Sequence, residues 1–174
     1  PRRIVFKTVH HNFFDYGDRG LVVPTTVISE QHLEQLGLIR ATPSIFQELI
    51  EKAYDVRVTI VGDEVFTVRI DSQEFPETAV DWRKPDFMER LRYRLIEAPS
   101  GILEQCRQML RELGLSFAAF DFVVSRDDSN AWYFLEVNPN GQWYWLEHLT
   151  GVGISNAIAG ILAGAPCSTY TTER

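Results

Sequence analysis

The sequence is poor in cysteine, in long apolar runs and in positive charge, and each shortage excludes a class of protein. The two cysteines, Cys106 and Cys167, lie far apart and form neither a metal-binding nor a redox motif, which favours a reducing, cytoplasmic setting. No apolar run approaches the ~20 residues of a membrane-spanning helix, and we find no signal peptide, so we expect no membrane partner. Acidic residues outnumber basic ones by 24 to 17, which argues against nucleic-acid binding.

Apolar residues are plentiful. They make up 45% of the 174 residues, which is enough for a core and argues against disorder. The length suits one domain or two small lobes. The chain starts at Pro1 and enters the apolar run Ile4-Val5-Phe6-Lys7 almost at once, so we expect an N-terminal part to precede it.

The hydrophobic pattern predicts an α+β chain in which hairpins are interspersed with separate helices. Strand pairs are expected at 4–9 with 21–28, at 55–61 with 64–71 around Gly62-Asp63, and at 117–124 with 132–138. Single strands are expected at 44–51 and near 91–96, and helices at 30–36, 101–113 and 154–162. The remainder of 72–99 is predicted to be a long surface loop.

Two acidic residues on the last hairpin predict a metal site. Asp121 and Glu136 lie equally far from the midpoint of the turn at 127–130, so in a regular hairpin their Cβ atoms would face each other ~5 Å apart. Asn138 follows two residues later and should face the same side. Opposed carboxylates repel, and two carboxylates with an amide oxygen suit Mg²⁺, whose open positions can take nucleotide phosphates. The alternative is a pair of unrelated acids on a solvated hairpin.

Several motifs together resemble the ATP-grasp superfamily. They are Gln47-Glu48-Leu49-Ile50, Asp55-Val56-Arg57, Val61-Gly62-Asp63, Asp121 and Glu136-Val137-Asn138-Pro139. Within that superfamily the sequence is similar to the ribosomal-protein glutamate ligases and, more closely, to the graspetide macrocyclases that mature microviridin-type ribosomal peptides. The narrower match is carried by Phe46-Gln47-Glu48, Asp81-Trp82-Arg83 and Asn138-Pro139-Asn140-Gly141-Gln142-Trp143.

The resemblance implies the ATP-grasp fold and a division into two lobes. Residues 1–50 would belong to the smaller lobe, which ends at the adenine hinge, and residues 51–174 would form the larger C-terminal lobe with the metal site. The loop at Gly17–Gly20 departs from the family, because it is aromatic and acidic where the family has a glycine-rich phosphate loop.

The resemblance also implies individual roles. The cofactor-binding set is Lys7 on the phosphates, the backbone of Gln47, Glu48, Leu49 and Ile50 at the adenine, Asp55 on the ribose, and Arg57 and Asn138 near the phosphates and their metal. Arg57 and Arg83 would hold the γ-phosphate and the acyl phosphate formed from it. The metal set is Asp121, Glu136 and Asn138. The alternatives are ordinary: a surface lysine, a solvated strand-start acid, or a surface arginine.

The implied activity is that of an ATP- and Mg²⁺-dependent ligase. It would activate a carboxylate of a ribosomal precursor peptide as an acyl phosphate and close an ester or amide with a hydroxyl or amine. Three alternatives stay open: a ligase that adds glutamate or another amino acid to a peptide end, a non-catalytic nucleotide-binding module, and a metal-stabilised structural domain. The resemblance is also compatible with a homodimer of the full-length protein.

Overall fold

The computed structural model describes residues 3–9, 13–15, 17, 20–41 and 43–164. Its strands are β1 (Ile4–Thr8), β2 (Phe13–Asp15), β3 (Gly20–Val22), β4 (Thr26–Val27), β5 (Ser44–Glu48), β6 (Lys52–Val61), β7 (Glu64–Ile70), β8 (Tyr93–Leu95), β9 (Phe117–Ser125) and β10 (Trp132–Asn138). Its α-helices are α1 (Glu30–Leu33), α2 (Pro85–Met88), α3 (Ser100–Leu113), α4 (Tyr144–Thr150) and α5 (Ile154–Leu162), and a 3₁₀ helix spans Leu36–Ala41.

The chain divides into two compact units. The first unit comprises Pro1–Glu51 and Ser72–Met88, and the second comprises Lys52–Asp71 and Glu89–Arg174. The prediction from the sequence placed residues 72–88 in the same lobe as the residues that now form the second unit. The assignment of the units to the two ATP-grasp lobes stays a prediction.

The first unit contains a three-stranded antiparallel sheet in the order β4-β1-β5, and a separate β2-β3 pair. The prediction that 21–28 pairs with 4–9 is right only for β4, because β3 pairs with β2 instead. The predicted helix 30–36 ends at Leu33, and Gly37 lies inside the 3₁₀ helix that follows. The reason is local, since the amide of Leu38 bonds to the carbonyl three residues back, on Gln35, which tightens the chain.

The second unit is built on a five-stranded antiparallel sheet in the order β10-β9-β6-β7-β8. The predicted β6–β7 hairpin is confirmed, and Gly62 occupies its turn with a φ of 59°, a value that suits glycine. The edge strand β8 lies within the predicted 91–96. The short helix α2 was not predicted, because it lies in the stretch that the sequence marked as a loop.

Helices cover both faces of this sheet. On one face, Cys106 and Leu110 of α3 pack against alternate residues of β6 and β9, among them Val58 and Phe120. On the other face, α4 and α5 contribute Leu146, Ile154 and Ala157 to a second apolar cluster. Every residue from 55 to 61 is consequently buried. A charged side chain on central strand β6 therefore needs a partner.

The long helices match the sequence best. Helix α3 ends at Gly114, whose φ is 64°, and α5 spans the predicted residues 154–162. Ser100, which directly precedes the predicted helix 101–113, lies inside α3, and Pro99 takes the cap position. Helix α4 was missed because its aromatic start gives no helical stripe. Within the described residues, no helix is both long and apolar enough to cross a bilayer.

Of the two cysteines, Cys106 lies in the core and Cys167 lies outside the described residues. Burial raises the pKa of the Cys106 thiol to about 11, against the lowering effect of Arg107. The thiol therefore stays protonated at neutral pH and acts as a small apolar core residue.

Candidate functional site

Three charged residues form one row across the sheet of the second unit. Arg57 on β6 lies opposite Asp121 on β9, and Asp121 lies opposite Glu136 on β10. Residues that face each other in antiparallel strands point to the same side, with Cβ atoms ~5 Å apart. All three therefore lie on the side that α4 and α5 partly cover.

The pairing of Asp121 with Glu136 is confirmed, but the hairpin is not regular. Phe134 lies opposite Phe122, and the register then shifts before Glu136 meets Asp121. Leu135 is the additional residue, as in a β-bulge. Between the turn and Phe134, the pairing is offset by one residue from the regular hairpin that we assumed. The additional residue cancels this offset, so Asp121 and Glu136 still face each other as predicted.

Asn138 joins the two carboxylates. Its Nδ2 lies 3.3 Å from Asp121 Oδ2 and 3.2 Å from Glu136 Oε1, so it donates to both. A half-turn of the amide would present Oδ1 to the same point. The three predicted metal ligands thus converge on one face, although their role as ligands stays a prediction.

Arg57 is already a cationic partner for Asp121. Its Nε donates to Asp121 Oδ1 at 2.6 Å and its Nη2 to Asp121 Oδ2 at 3.1 Å, which is a two-point fork. The side chains are only 9% and 14% exposed. We expected a metal ion to relieve the repulsion between the carboxylates of Asp121 and Glu136. The guanidinium of Arg57 already relieves part of it.

The donor set fits a magnesium ion bound together with a ligand. Among the residues that the structure describes, no group of three or more His, Cys, Asp or Glu is arranged to hold a metal. Asp121 and Glu136 offer two carboxylates to a metal ion, and Asn138 offers one amide oxygen. Mg²⁺ is commonly held by one or two carboxylates and completes its shell with phosphate oxygens and water.

A loop that the sequence did not include among the site residues closes against this row. The carbonyl of Gln142 accepts from Arg57 Nη1 at 3.3 Å and from Trp145 Nε1 at 3.1 Å. Gly141 lies so close to Ala119 that a Cβ on it would come within 2.6 Å of the alanine methyl. The Asn-Gly-Gln-Trp motif was the signal for this loop, but it did not reveal a backbone contact to Arg57.

Asp55, predicted to hold the ribose, is buried beside Lys52. The Lys52 Nζ lies 2.9 Å from Asp55 Oδ1 and 2.7 Å from Oδ2, and both side chains are nearly inaccessible. The sequence missed Lys52 as a partner. The ribose role of Asp55 stays a prediction.

The remaining predicted residues belong to the first unit. Lys7 lies opposite Ile45, and Gln47 lies opposite Val5. Because residues two apart on a strand face the same side, Lys7 and Gln47 share one face of the sheet and Glu48 points to the other.

The predicted adenine segment is only partly a strand. Strand β5 ends at Glu48, so Leu49 and Ile50 lie beyond it, whereas the prediction extended the strand to 51. The amide of Leu49 donates to the carbonyl of Arg3 at 2.8 Å. That N–H is engaged within the unit, and the adenine role of this segment stays a prediction.

Arg83, the second predicted catalytic arginine, is held by Asp81. Its Nε donates to Asp81 Oδ1 at 2.9 Å, and the amide of Thr25 donates to Asp81 Oδ2 at 3.2 Å. Burial opposes ionisation of Asp81, but the hydrogen bonds and charge of Arg83 and the backbone amides outweigh it and lower the pKa to about 2. The guanidinium of Arg83 is half-exposed, and its phosphate role stays a prediction.

Comparison with solved structures identifies the class of protein. The chain matches the ATP-grasp ligase of Chryseobacterium gregarium, described as RiPP-associated and solved with ADP and a leader and core peptide, with a TM-score of 0.84 and 32% identity over 94% of this chain and 49% of that chain. A D-alanine–D-alanine ligase from Bacillus anthracis, solved with ATP, matches with a TM-score of 0.53 at 13% identity, which supports the fold alone. The chain has the α+β ATP-grasp fold and is similar to ATP-grasp ligases, as the motifs predicted.

Within the superfamily, the chain is similar to ligases of ribosomal peptide maturation. The macrocyclase MdnC from Microcystis aeruginosa, bound with its precursor peptide MdnA, matches with a TM-score of 0.76 and 33% identity over 92% of this chain and 49% of that chain. The chain thus spans about half the length of these two ligases. No protein-family model and no curated protein matches the sequence.

Proposed function

We propose that this protein is an ATP- and Mg²⁺-dependent ligase that joins a carboxylate of a ribosomal precursor peptide to a hydroxyl or amine of the same peptide. The observation that carries the proposal is the row of Arg57, Asp121 and Glu136 with Asn138 beside it. That row stands on a fold whose similar structures were solved with ADP and with precursor peptides.

In the second unit, Asp121, Glu136 and Asn138 would hold the magnesium ion, and Arg57 would bind the terminal phosphate. When bound, the ion would neutralise phosphate charge and favour transfer of the terminal phosphoryl group. Arg57 fits its task because a guanidinium binds phosphate oxygens at two points.

In the first unit, Lys7 and Arg83 would bind phosphate oxygens and the segment from Gln47 to Ile50 would bind the adenine edge. Asp55 of the second unit would accept hydrogen bonds from the ribose hydroxyls. Support for these roles comes from the positions of these residues in the motifs that resemble the ATP-grasp superfamily.

The chemistry needs no covalent nucleophile from the protein. A peptide carboxylate attacks the terminal phosphorus of ATP, and the resulting acyl phosphate is attacked by a hydroxyl or amine. An ester or amide forms, and ADP and phosphate leave. The side chains of the proposed site would act by positioning and by electrostatics.

The test is a mass spectrum of a candidate ribosomal precursor peptide incubated with the full-length protein, ATP and Mg²⁺. Each ring closed removes one water from the peptide. The Glu136→Gln variant should leave the peptide mass unchanged, whereas Glu104→Gln, an exposed change on α3, should behave as the unsubstituted protein.

Other products would support other functions. Addition of an amino-acid residue to the peptide would support a glutamate or amino-acid ligase and refute macrocyclisation. An unaltered biological effect of the Glu136→Gln variant would favour a non-catalytic nucleotide-binding module.

We also infer that the protein acts in the cytoplasm, where ATP, Mg²⁺ and newly made peptides are available. The absence of a metal or redox motif at its two cysteines supports a reducing setting. We also propose that the full-length protein forms a homodimer, and light scattering would test this by measuring the mass of the particle in solution.

A further inference from the structure

We propose that Trp145 is a positioning residue for Arg57, and that it acts through the backbone carbonyl of Gln142. The contacts stand by themselves, but the consequence for phosphate binding rests on the proposed function. Trp145 lies in the first turn of α4, directly before Leu146, which is fully buried in the second apolar cluster. The indole is therefore presented by an anchored helix.

The carbonyl of Gln142 is shared between the two side chains. It accepts from Arg57 Nη1 at 3.3 Å and from Trp145 Nε1 at 3.1 Å. A carbonyl oxygen has two lone pairs, so both donors are accommodated. The indole N–H thereby fixes where this oxygen lies, and the oxygen fixes one terminal nitrogen of Arg57.

The indole ring makes a second, direct contact. The Arg57 Cζ lies 5.7 Å from the ring centroid, which is within the range of a cation–π interaction. Tyr93 also packs against this indole, with its ring edge-on at 5.8 Å between centroids. The guanidinium is thus held by the Asp121 carboxylate, the Gln142 carbonyl and the Trp145 ring.

The hydrogen bonds of Arg57 leave donors for a ligand. A guanidinium carries one N–H on Nε and two on each terminal nitrogen. The bonds to Asp121 and Gln142 use one N–H from each of the three nitrogens. One N–H remains on each terminal nitrogen, and this pair suits a two-point contact with a phosphate oxyanion.

The loop is placed by close backbone contact. Gly141 is buried against Ala119 and Asn138, where a Cβ would meet atoms at 2.6 Å and 3.3 Å. Only glycine allows this approach, and it fixes the Gln142 carbonyl over the row. The side chain of Gln142 is exposed, so its identity should not matter.

The experiment compares two nucleotides on the full-length protein by calorimetric titration with Mg²⁺. ADP lacks the terminal phosphate that Arg57 would bind, and AMPPNP carries its counterpart. Trp145→Leu should weaken AMPPNP binding roughly tenfold, the size of a lost charge-assisted hydrogen bond, and leave ADP binding nearly unchanged. Trp145→Phe keeps a ring but not the N–H and should give a smaller loss of the same kind.

Three controls separate positioning from general destabilisation. Trp132 packs edge-on against Phe122 in the apolar cluster beside α3, so Trp132→Leu should leave the ratio of the two affinities unchanged. Gln142→Ala should do the same. In an Arg57→Lys background, Trp145→Leu should have no further effect on the ratio, because Trp145 acts through the guanidinium.

The failures are distinguishable. A protein that binds neither nucleotide with Mg²⁺ refutes the proposed function and this proposal with it. Normal binding by the unsubstituted protein, with a Trp145→Leu variant that loses both nucleotides equally or keeps its effect in the Arg57→Lys background, overturns the role of Trp145 alone.

Discussion

At the scale of single residues, the charges of the row determine what the site can bind. The carboxylates of Asp121 and Glu136 and the guanidinium of Arg57 together leave one net negative charge. A divalent cation would convert this into a net positive charge, which suits a polyphosphate. Metal and phosphate are therefore expected to bind together, each improving the site for the other.

Removing one partner of the Arg57–Asp121 pair should be more harmful than removing both. Asp121→Ala leaves a guanidinium that is only 9% exposed without its carboxylate, and we expect a loss of about 3 kcal/mol in the free energy of unfolding. The double variant Arg57→Met with Asp121→Leu should recover most of that loss, since apolar side chains of similar size need no partner. Urea unfolding measures the free energy of unfolding of the single and the double variant. An equal loss in the two would show that the unpaired charge is not the cause of the destabilisation.

The convergence of Asp121, Glu136 and Asn138 could be predicted because hairpin symmetry and strand alternation are visible in the sequence, whereas Arg57 was expected near the phosphates only from the resemblance. The contacts of Trp145 and Lys52 could not be predicted. Trp145 reaches Arg57 through a backbone carbonyl. Because every residue has such a carbonyl, nothing in the sequence marks this contact. Lys52 pairs with Asp55 three residues on, and a regular strand would point such residues to opposite faces. A register shift between Lys52 and Tyr54 allows the contact, and nothing in the local sequence marks it.

At the scale of elements, irregularities in two strands place the charges. One lies in β6 just before Asp55, and the other in β10 just before Glu136. Bulges re-aim side chains and increase strand twist, and they occur often near functional sites. Long elements with strong periodicity, such as α3 and α5, were predicted closely. The short helix α4 was not, because burial of Leu146 and its neighbours stabilises it, not helical patterning.

The loop after β10 makes a steric prediction at this scale. Gly141→Ala would place a methyl 2.6 Å from the Ala119 Cβ, so the loop must shift, and we expect a loss of about 1–3 kcal/mol in the free energy of unfolding. Adding Ala119→Gly removes the colliding methyl and should restore part of the loss. Urea unfolding of the single and double variants tests this.

Gly101→Ala on α3 is the matched control. A Cβ on Gly101 meets nothing within 4 Å, and the position is exposed in the helix. Alanine is favoured over glycine inside helices, so this change should stabilise the protein by up to about 1 kcal/mol. A similar destabilisation by both substitutions would contradict the steric explanation for Gly141.

At the scale of the whole molecule, the motifs predicted the fold, but chain order did not predict the division of residues between the units. Residues 72–88 follow β7, which belongs to the second unit, yet they cluster with the first. The hydrogen bond from the Thr25 amide to Asp81 shows the kind of contact responsible. Such a contact joins positions 56 residues apart. The local sequence pattern carries no information about a contact between positions so far apart.

Coupling between ligand and fold gives a prediction for the entire protein. A ligand that binds only the folded state stabilises it by about 2.7 kcal/mol at a hundredfold excess over its Kd. Thermal unfolding of the full-length protein should therefore move to higher temperature with ADP, and further when Mg²⁺ is added. Glu136→Gln keeps the side-chain shape but removes a carboxylate charge, so it should reduce the Mg²⁺-dependent part and leave the ADP-only shift in place. Glu104→Gln should leave both shifts intact, because Glu104 pairs with Arg111 on the exposed face of α3. A full Mg²⁺-dependent shift in the Glu136→Gln variant would mean that the metal binds elsewhere.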